Sequence, residues 1–407
     1  MKAQGALEYL IIIAAVLAIA AVTVTFMSGV FGTSSESANI ALCRQAAASC
    51  DNKLATGVSK SCPECETSCI NPITRRDVIG GTIECGVGCL FCKQGIFYDV
   101  TKHETTSTYN MLYGGYSPST GHEQSGYAVS TDGIRWLKAS KDPILPLGPE
   151  EFDNDHASCI HPVKISNTLY YGYYGACCYN ESTKWQVGFA TSPNGLSWTK
   201  GTPNPVLTVG PPGSWDDNES TNMFVLKDNT DYKGWYLGRS DTTYAIGYAT
   251  SPDGITWTKY SGNPIIKLSD IPWATPRIEY PFVIKEGGIY KMWYSAGTPS
   301  GKAIGYATSP DGITWSHNPT PVIAGGAVGS WDSAGAYHPF VIHRTSSYEM
   351  WYAGLGYVAS VLYIKIGYAT SPDGITWTKY SGNPVLDVGL PGDWDDRYVF
   401  CPYGLYE

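Results

Sequence analysis

The sequence predicts an all-β five-bladed β-propeller preceded by a long N-terminal hydrophobic α-helix and a small Cys-rich neck. Three observations predict it: a phrase ending in tryptophan that recurs five times, an unbroken apolar run near the N-terminus, and eight of twelve cysteines crowded between Cys43 and Cys92. Composition agrees. Only 15% of the 407 residues are charged, against roughly 25% in ordinary domains, while aromatics reach 13% and there are 45 glycines and 26 prolines, a balance that suits a turn-rich β protein and opposes disorder. A formal net charge of -9 with no cluster of Lys and Arg excludes a nucleic-acid partner, because phosphate binding needs concentrated positive charge.

The elements follow in chain order. From Tyr9 through Ser35 the tyrosine phenol is the sole ionisable side chain, and the run Leu10 to Phe31 is long enough as a helix to cross a hydrocarbon core of about 30 Å. A secretory signal peptide has a shorter apolar core and an A-x-A-like cleavage site, whereas this run continues through Ala, Val and Phe, so one span is expected. Lys2 fits an N-terminus on the cytoplasmic side. The opening Met-Lys-Ala-Gln-Gly-Ala-Leu-Glu-Tyr-Leu resembles the class III signal of archaeal type IV pilins and related surface proteins. That resemblance implies cleavage by a class III signal (prepilin) peptidase after Ala3, Gln4 as the mature N-terminus, and Glu8 as its fifth residue, paired with the freed α-amino group of a neighbouring subunit. A carboxylate at the edge of an apolar helix is costly in lipid unless paired; the alternative for Glu8 is a place among the headgroups. The implied partners are the membrane, the peptidase, and itself or other pilin-like subunits, in a single-pass surface protein or a filament.

Residues 36 to 48 keep high helix propensity and extend the helix into a stalk. The neck then contributes Cys62-x2-Cys65-x3-Cys69 and Cys85-x3-Cys89-x2-Cys92, beside Cys43 and Cys50. Paired CxxC motifs fit tetrahedral zinc, but thiols outside the membrane in a segment with little core favour disulfides, whose connectivity stays open. The sequons at Asn180 and Asn218 are glycosylation candidates in the same compartment.

In the propeller, Gly-Tyr-Ala-Thr-Ser-Pro-Asp-Gly-Ile-Thr-Trp starts at Gly247, Gly305 and Gly367, with variants at Gly126 and Gly188. The closing residues Trp136, Trp198, Trp257, Trp315 and Trp377 are roughly sixty residues apart, one four-stranded blade each. Ser-Pro-Asp-Gly supplies a turn, so the phrase is a hairpin. Ahead of it stand Trp-Asp or a relative, an apolar strand and an aromatic strand, as in Trp331-Asp332, Pro339 to Ile342 and Met350-Trp351-Tyr352. The expected organisation is a leader at 1–3, helix and stalk at 4–48, neck at 49–95 and propeller at 96–407. The blades fall near 96–150, 152–208, 215–267, 273–323 and 331–387, and a strand at 394–407 closes the ring on blade one so that no sheet edge is left open. Ile96 to Val100 is an alternative first strand for that blade, and donation of the last strand to another subunit is an alternative to closure. The Asp residues of the Trp-Asp pairs, Asp216, Asp332 and Asp395, recur too regularly for catalysis and read as turn or cap residues.

Residues 96 to 407 resemble the five-bladed propellers of glycoside hydrolase families 43, 32 and 130. The sialidase Asp-box has one more residue between its Asp and Gly. Positions that diverge among blades at the axial mouth mark a ligand site. Just before the Pro of each first strand stand His161, Asn222, Tyr280, His338 and Cys401, near Asp155, Glu219, Arg277, Glu279 and Tyr337, a collar suited to a glycan or other surface ligand. Glycoside hydrolysis needs two carboxyl groups of opposite protonation. The family 43 resemblance implies that Glu279, two residues before Pro281, is the general acid; where that family has its base and a further Asp, this chain has His161, Asn222 and His338. The base is therefore unassigned among Asp99, Asp155, Asp217 and Glu219, and an ion pair with Arg277 or another collar residue is the plain structural role for Glu279. Cys177-Cys178 reads as a vicinal disulfide or as separate partners for Cys159 and Cys401. Family 43 propellers sometimes hold calcium, but no oxygen-rich loop here demands it, so no cofactor is expected. The leading expectation is a pilin-like display protein that binds glycan; a membrane-anchored glycoside hydrolase and a purely structural head are the alternatives.

Overall fold

The computed structural model describes residues 89–93, 96–99, 109–140, 142–148, 152–177 and 184–405. The apolar run, Ala3, Gln4, Glu8, Cys43 to Cys85, Cys178 and Asn180 lie outside the described residues. Among those described, no helix is long and apolar enough to cross a membrane. The chain divides into two units, Met1–Thr106 and Ser107–Glu407. In the first, β1 (Cys89–Lys93) pairs antiparallel with β2 (Ile96–Asp99). Among the described residues these two strands form a sheet of their own.

The second unit is all β and propeller-like, built of five antiparallel meanders. The first takes β3 (Tyr109–Tyr116), β4 (Glu123–Ser130) and β5 (Leu137–Lys138). The second runs through β6 (His156–Ser166), β7 (Leu169–Cys177), β8 (Gln186–Ser192) and β9 (Thr199–Lys200). In the third, β10 (Glu219–Asp228), β11 (Asp231–Arg239), β12 (Tyr244–Ser251) and β13 (Thr258–Lys259) are joined by β14 (Ile266–Lys267). The fourth comprises β15 (Ile278–Glu286), β16 (Ile289–Thr298), β17 (Gly301–Ser309) and β18 (Ser316–His317). Last come β19 (Gly335–His343), β20 (Tyr348–Val358), β21 (Val361–Ser371) and β22 (Thr378–Lys379), followed by β23 (Tyr398–Leu405). β23 pairs antiparallel with β3, completing the first meander with the last strand of the chain. The innermost strands touch in a closed cycle: β6 meets β10, β10 meets β15, β15 meets β19, β19 meets β23, and β23 meets β6.

Each phrase folds as its turn chemistry dictates. Gly254 takes φ +79°, which the left-handed turn requires, and the Oδ1 of Asp253 accepts the backbone N–H groups of Ile255 and Thr256 at 2.8 and 2.7 Å. The Ser251 hydroxyl accepts those of Asp253 and Gly254. The same bonds recur around Asp132, Asn194, Asp311 and Asp373. These turns also join meanders. Tyr173, Trp235, Trp293 and Trp351 each donate to the turn glycine carbonyl of the next meander, at Gly254, Gly312, Gly374 and Gly133, over 2.8 to 2.9 Å. The equivalent residue of the first meander is Leu112, which has no donor, and at that junction Cys159 of β6 is disulfide-bonded to Cys401 of β23. This pairing removes the reading in which Cys177 and Cys178 were separate partners for those two; Cys177 is buried at the end of β7.

The Trp-Asp aspartates do more than cap a turn. Asp395, Asp153, Asp216 and Asp332 are buried, and each accepts a lysine from its own meander's outermost strand, Lys138, Lys200, Lys259 or Lys379, at 2.6 Å. Each also accepts a tyrosine hydroxyl from the second strand, Tyr113, Tyr174, Tyr236 or Tyr352. One carboxylate therefore ties the inner, middle and outer strands of a sheet. In the fourth meander Tyr294 bonds His317 instead, at 3.2 Å.

Candidate functional site: the axial mouth

All five inner strands carry a bulge at one level. The register shifts between Ser158 and His161, Thr221 and Phe224, Glu279 and Phe282, Tyr337 and Phe340, and Phe400 and Tyr403. The bulged residues Cys159, Asn222, Tyr280, His338 and Cys401 take φ of 56°, 50°, 53°, 51° and 49°. A side chain at positive φ costs on the order of 1–3 kcal/mol, so five such residues at one level mark a deliberate re-aiming of the strands.

The bulges correct one sequence expectation. Cys159, not His161, is the counterpart of Asn222, Tyr280 and His338: it is the positive-φ residue of the β6 bulge, and β6 has Ile160 where β15, β19 and β23 have Pro. His161 instead belongs with Phe224, Phe282, Phe340 and Tyr403. These five rings contact one another around the axis, with centroids at 4.4, 4.7, 5.1, 6.2 and 5.0 Å in turn. They plug the channel below the bulges. His161 is buried there with Nε2 bonded to the Val225 carbonyl at 2.9 Å, and burial lowers its pKa to about 4, so it is neutral. His338 is also buried, its Nδ1 accepting the Cys401 backbone N–H at 3.1 Å, and burial followed by the Lys302 charge holds it well below the usual imidazole range.

Above the plug, the third strand of one meander begins beside the first strand of the next: Glu123 pairs with His156, Trp185 with Glu219, Lys302 with Gly335 and Ile364 with Tyr398. This register brings polar residues from two strand sets to one end. Glu279 is buried and its carboxylate pairs with the Lys302 ammonium, which also lies 4.5 Å from the Tyr337 ring. Glu219 pairs with Arg239 at 2.5 Å; burial nevertheless raises its pKa, opposed by Arg239, reinforced by Glu279 and opposed again by Arg277. Glu123 differs. Burial pushes its carboxyl up to about 7, a Ser158 hydroxyl at 3.2 Å opposing and Asp155 adding to the shift. Its backbone N–H donates to His156 Nδ1 at 2.9 Å, which leaves the proton of a neutral His156 on Nε2, 3.2 Å from Asp155. Asp155 also meets His122 at 2.8 Å. Tyr280 and Tyr337 are pushed well above the phenol range by burial, then by Glu279 and Glu123.

Of the residues singled out from sequence, Arg277, Glu279, Tyr280 and Tyr337 come together, Asn222 occupies a bulge against Gly175, and the Asn218 amide bonds Asp241 at 2.5 Å. Glu123 and Lys302 went unnoticed. A signal was present: both stand three residues before the glycine of the repeated phrase, where the five copies read Glu123, Trp185, Tyr244, Lys302 and Ile364. Among the described residues no group of three or more His, Cys, Asp or Glu is arranged to hold a metal ion.

A family model described as class III signal peptide matches residues 2–27, which implies processing by a prepilin peptidase and export to the surface. The uncharacterized protein Rv1502 of Mycobacterium tuberculosis is 31% identical over 211 residues, 49% of this chain and 67% of its own length. The A type blood N-acetyl-alpha-D-galactosamine deacetylase of Flavonifractor plautii is 24% identical over 268 residues, 56% of this chain but only 33% of its own. Among solved structures, one described as a glycoside hydrolase aligns with a TM-score of 0.56 at 17% identity, covering 71% of this chain and 88% of its own. Another belongs to the GH130 family of mannoside phosphorylases, said to contain glycoside hydrolases that target beta-1,2 mannosidic linkages in Candida mannan. It aligns with a TM-score of 0.51 at 15% identity over 64% of this chain and 84% of its own. These structural likenesses establish a glycoside hydrolase-like fold.

Proposed function

This chain belongs to the family of the uncharacterized Mycobacterium tuberculosis protein Rv1502, and we propose that it is a pilin-like surface protein whose five-bladed propeller presents a carbohydrate-binding mouth. The count of five is supported by the closed cycle of inner strands. The observation that carries the binding role is the contrast between an invariant scaffold and a divergent end. Turns and most aspartate–lysine–tyrosine ties repeat from meander to meander, whereas the column Glu123, Trp185, Tyr244, Lys302, Ile364 and the bulged residues do not. Aromatic faces among paired charges are what sugar rings and hydroxyls require.

A glycan array probed with the full-length protein tests this. Binding is expected, and Tyr337→Ala with Lys302→Ala should weaken it about tenfold or more; unchanged binding in that variant would sink the assignment to the mouth. The pilin-like part rests on the class III signal and on Glu8 at the head of the apolar run. Glu8→Ala should abolish assembly while glycan binding persists, and normal assembly of that variant would refute it.

One observation favours a second reading, hydrolysis. Burial raises the Glu123 carboxyl to about 7, the range a proton donor needs, and a second carboxyl, Glu279, stands at the same mouth, paired with Lys302. Turnover of a bound glycan, lost in both Glu123→Gln and Glu279→Gln, would establish it.

A further inference from the structure

The basic side chains of the mouth are not all matched. Lys302 is held by Glu279, and Arg239 by Glu219. Arg277 and Arg397 have no carboxylate within ion-pair distance among the described residues, and no acceptor there takes a hydrogen bond from either guanidinium. Each is instead laid over a tyrosine: Arg277 is 4.9 Å from the Tyr244 centroid and Arg397 is 5.3 Å from that of Tyr363. Both are half-buried. A guanidinium over a tyrosine ring is held by the charge–quadrupole attraction and not by its N–H donors. The ring contact takes up none of the N–H donors, so each fork stays available to an acceptor.

Both belong to the same end of the molecule. Arg277 acts on Glu219, which also feels Glu279, and Arg397 acts on Tyr398, which also feels Glu123. Arg277 directly precedes β15 and Arg397 directly precedes β23, the two inner strands that flank β19. In a chain with a formal charge of -9, two cations without an ion-pair partner among the described residues on one collar are an exception to the composition. Neutral sugar hydroxyls do not call for that charge. A planar carboxylate does, since it accepts two parallel N–H bonds from one guanidinium fork.

We propose that the ligand is an acidic glycan, one carrying hexuronate-type sugars, with Arg277 and Arg397 as two carboxylate clamps on either side of β19. This rests on the carbohydrate reading and names the class of sugar.

The test is calorimetric titration of the full-length protein in detergent with two matched series. One holds oligosaccharides of galacturonate, glucuronate and mannuronate; the other holds the corresponding neutral hexose oligosaccharides. At least one acidic series should bind about tenfold or more tighter than its neutral counterpart, as expected for charge-assisted hydrogen bonds. Arg277→Gln with Arg397→Gln should erase that preference, so that the acidic and neutral series bind alike, while the Arg→Lys pair, which keeps the charge but not the fork, should retain only part of it. A thermal melt of each variant checks that it folds, and the Lys pair carries the comparison if the Gln pair does not. Equal binding of both series, or a preference that survives both variant pairs, overturns the acidic assignment and leaves the carbohydrate reading standing. Failure of every oligosaccharide in both series overturns the two together.

Discussion

Glu123 shows how one residue can be set by its surroundings rather than by its neighbours in sequence. Its carboxyl titrates near 7 because burial disfavours the charge, and Asp155 adds to the effect. A raised acid pKa makes the folded state the better proton binder, so this contribution to stability is complete below the unfolded value near 4.5 and is lost as pH climbs through about 7. Glu123→Gln, permanently neutral, should abolish that part of the decline. Thermal melts from pH 4.5 to 8 should show wild type losing about 1–3 kcal/mol more than the variant across the window, a range that allows for the half-buried setting of the residue. Parallel curves would contradict the proposed protonation. Asp253, Asp311 and Asp373 behave in the opposite sense: backbone N–H donors hold each at about 2, so they stay ionised through the same window.

At the scale of the element, the buried aspartates and the turn aspartates are predicted to differ in cost although both recur. Asp332 accepts Lys379 at 2.6 Å and lies near the Tyr352 hydroxyl, so Asp332→Asn leaves a lysine without its counter-charge, and denaturant unfolding should report a loss of about 3 kcal/mol or more. Asp311→Asn keeps the accepting oxygen, as Asn194 already does in the second meander, and should cost less than about 1 kcal/mol. The turns, the Trp-Asp openings and the closing strand were legible because each is a local pattern with local chemistry. The bulge in β6 was not, since proline marks the level in only three strands, β15, β19 and β23, and Ile160 and Met223 break the mark. His161 was accordingly placed two residues out of register. Lys302 as the partner of Glu279 is hidden for a different reason: its column recurs three residues before the phrase glycine, but the pair joins the first and third strands of one meander, which are not hydrogen-bonded neighbours.

For the whole second unit, closure depends on a junction unlike the rest. Four junctions are joined by a ring or hydroxyl donating to a turn carbonyl, and the fifth, between the first and second meanders, has Leu112 in that place and the Cys159–Cys401 disulfide. The sequence separation it spans is 242 residues, so in the chain-entropy picture its loss should lower stability by about 2–5 kcal/mol. Cys159→Ser with Cys401→Ser should therefore melt lower than wild type in the absence of reductant, and the two should converge when reductant is added; melting points that already coincide without reductant would show that β23 pairing with β3 closes the ring unaided. The central claim, that this ring presents a sugar-binding end, is tested most directly by a crystal structure of the protein with a bound acidic oligosaccharide. The account predicts a sugar at the mouth, in contact with Tyr337 and with a carboxylate on Arg277 or Arg397. A sugar bound only along the outer strands would contradict it.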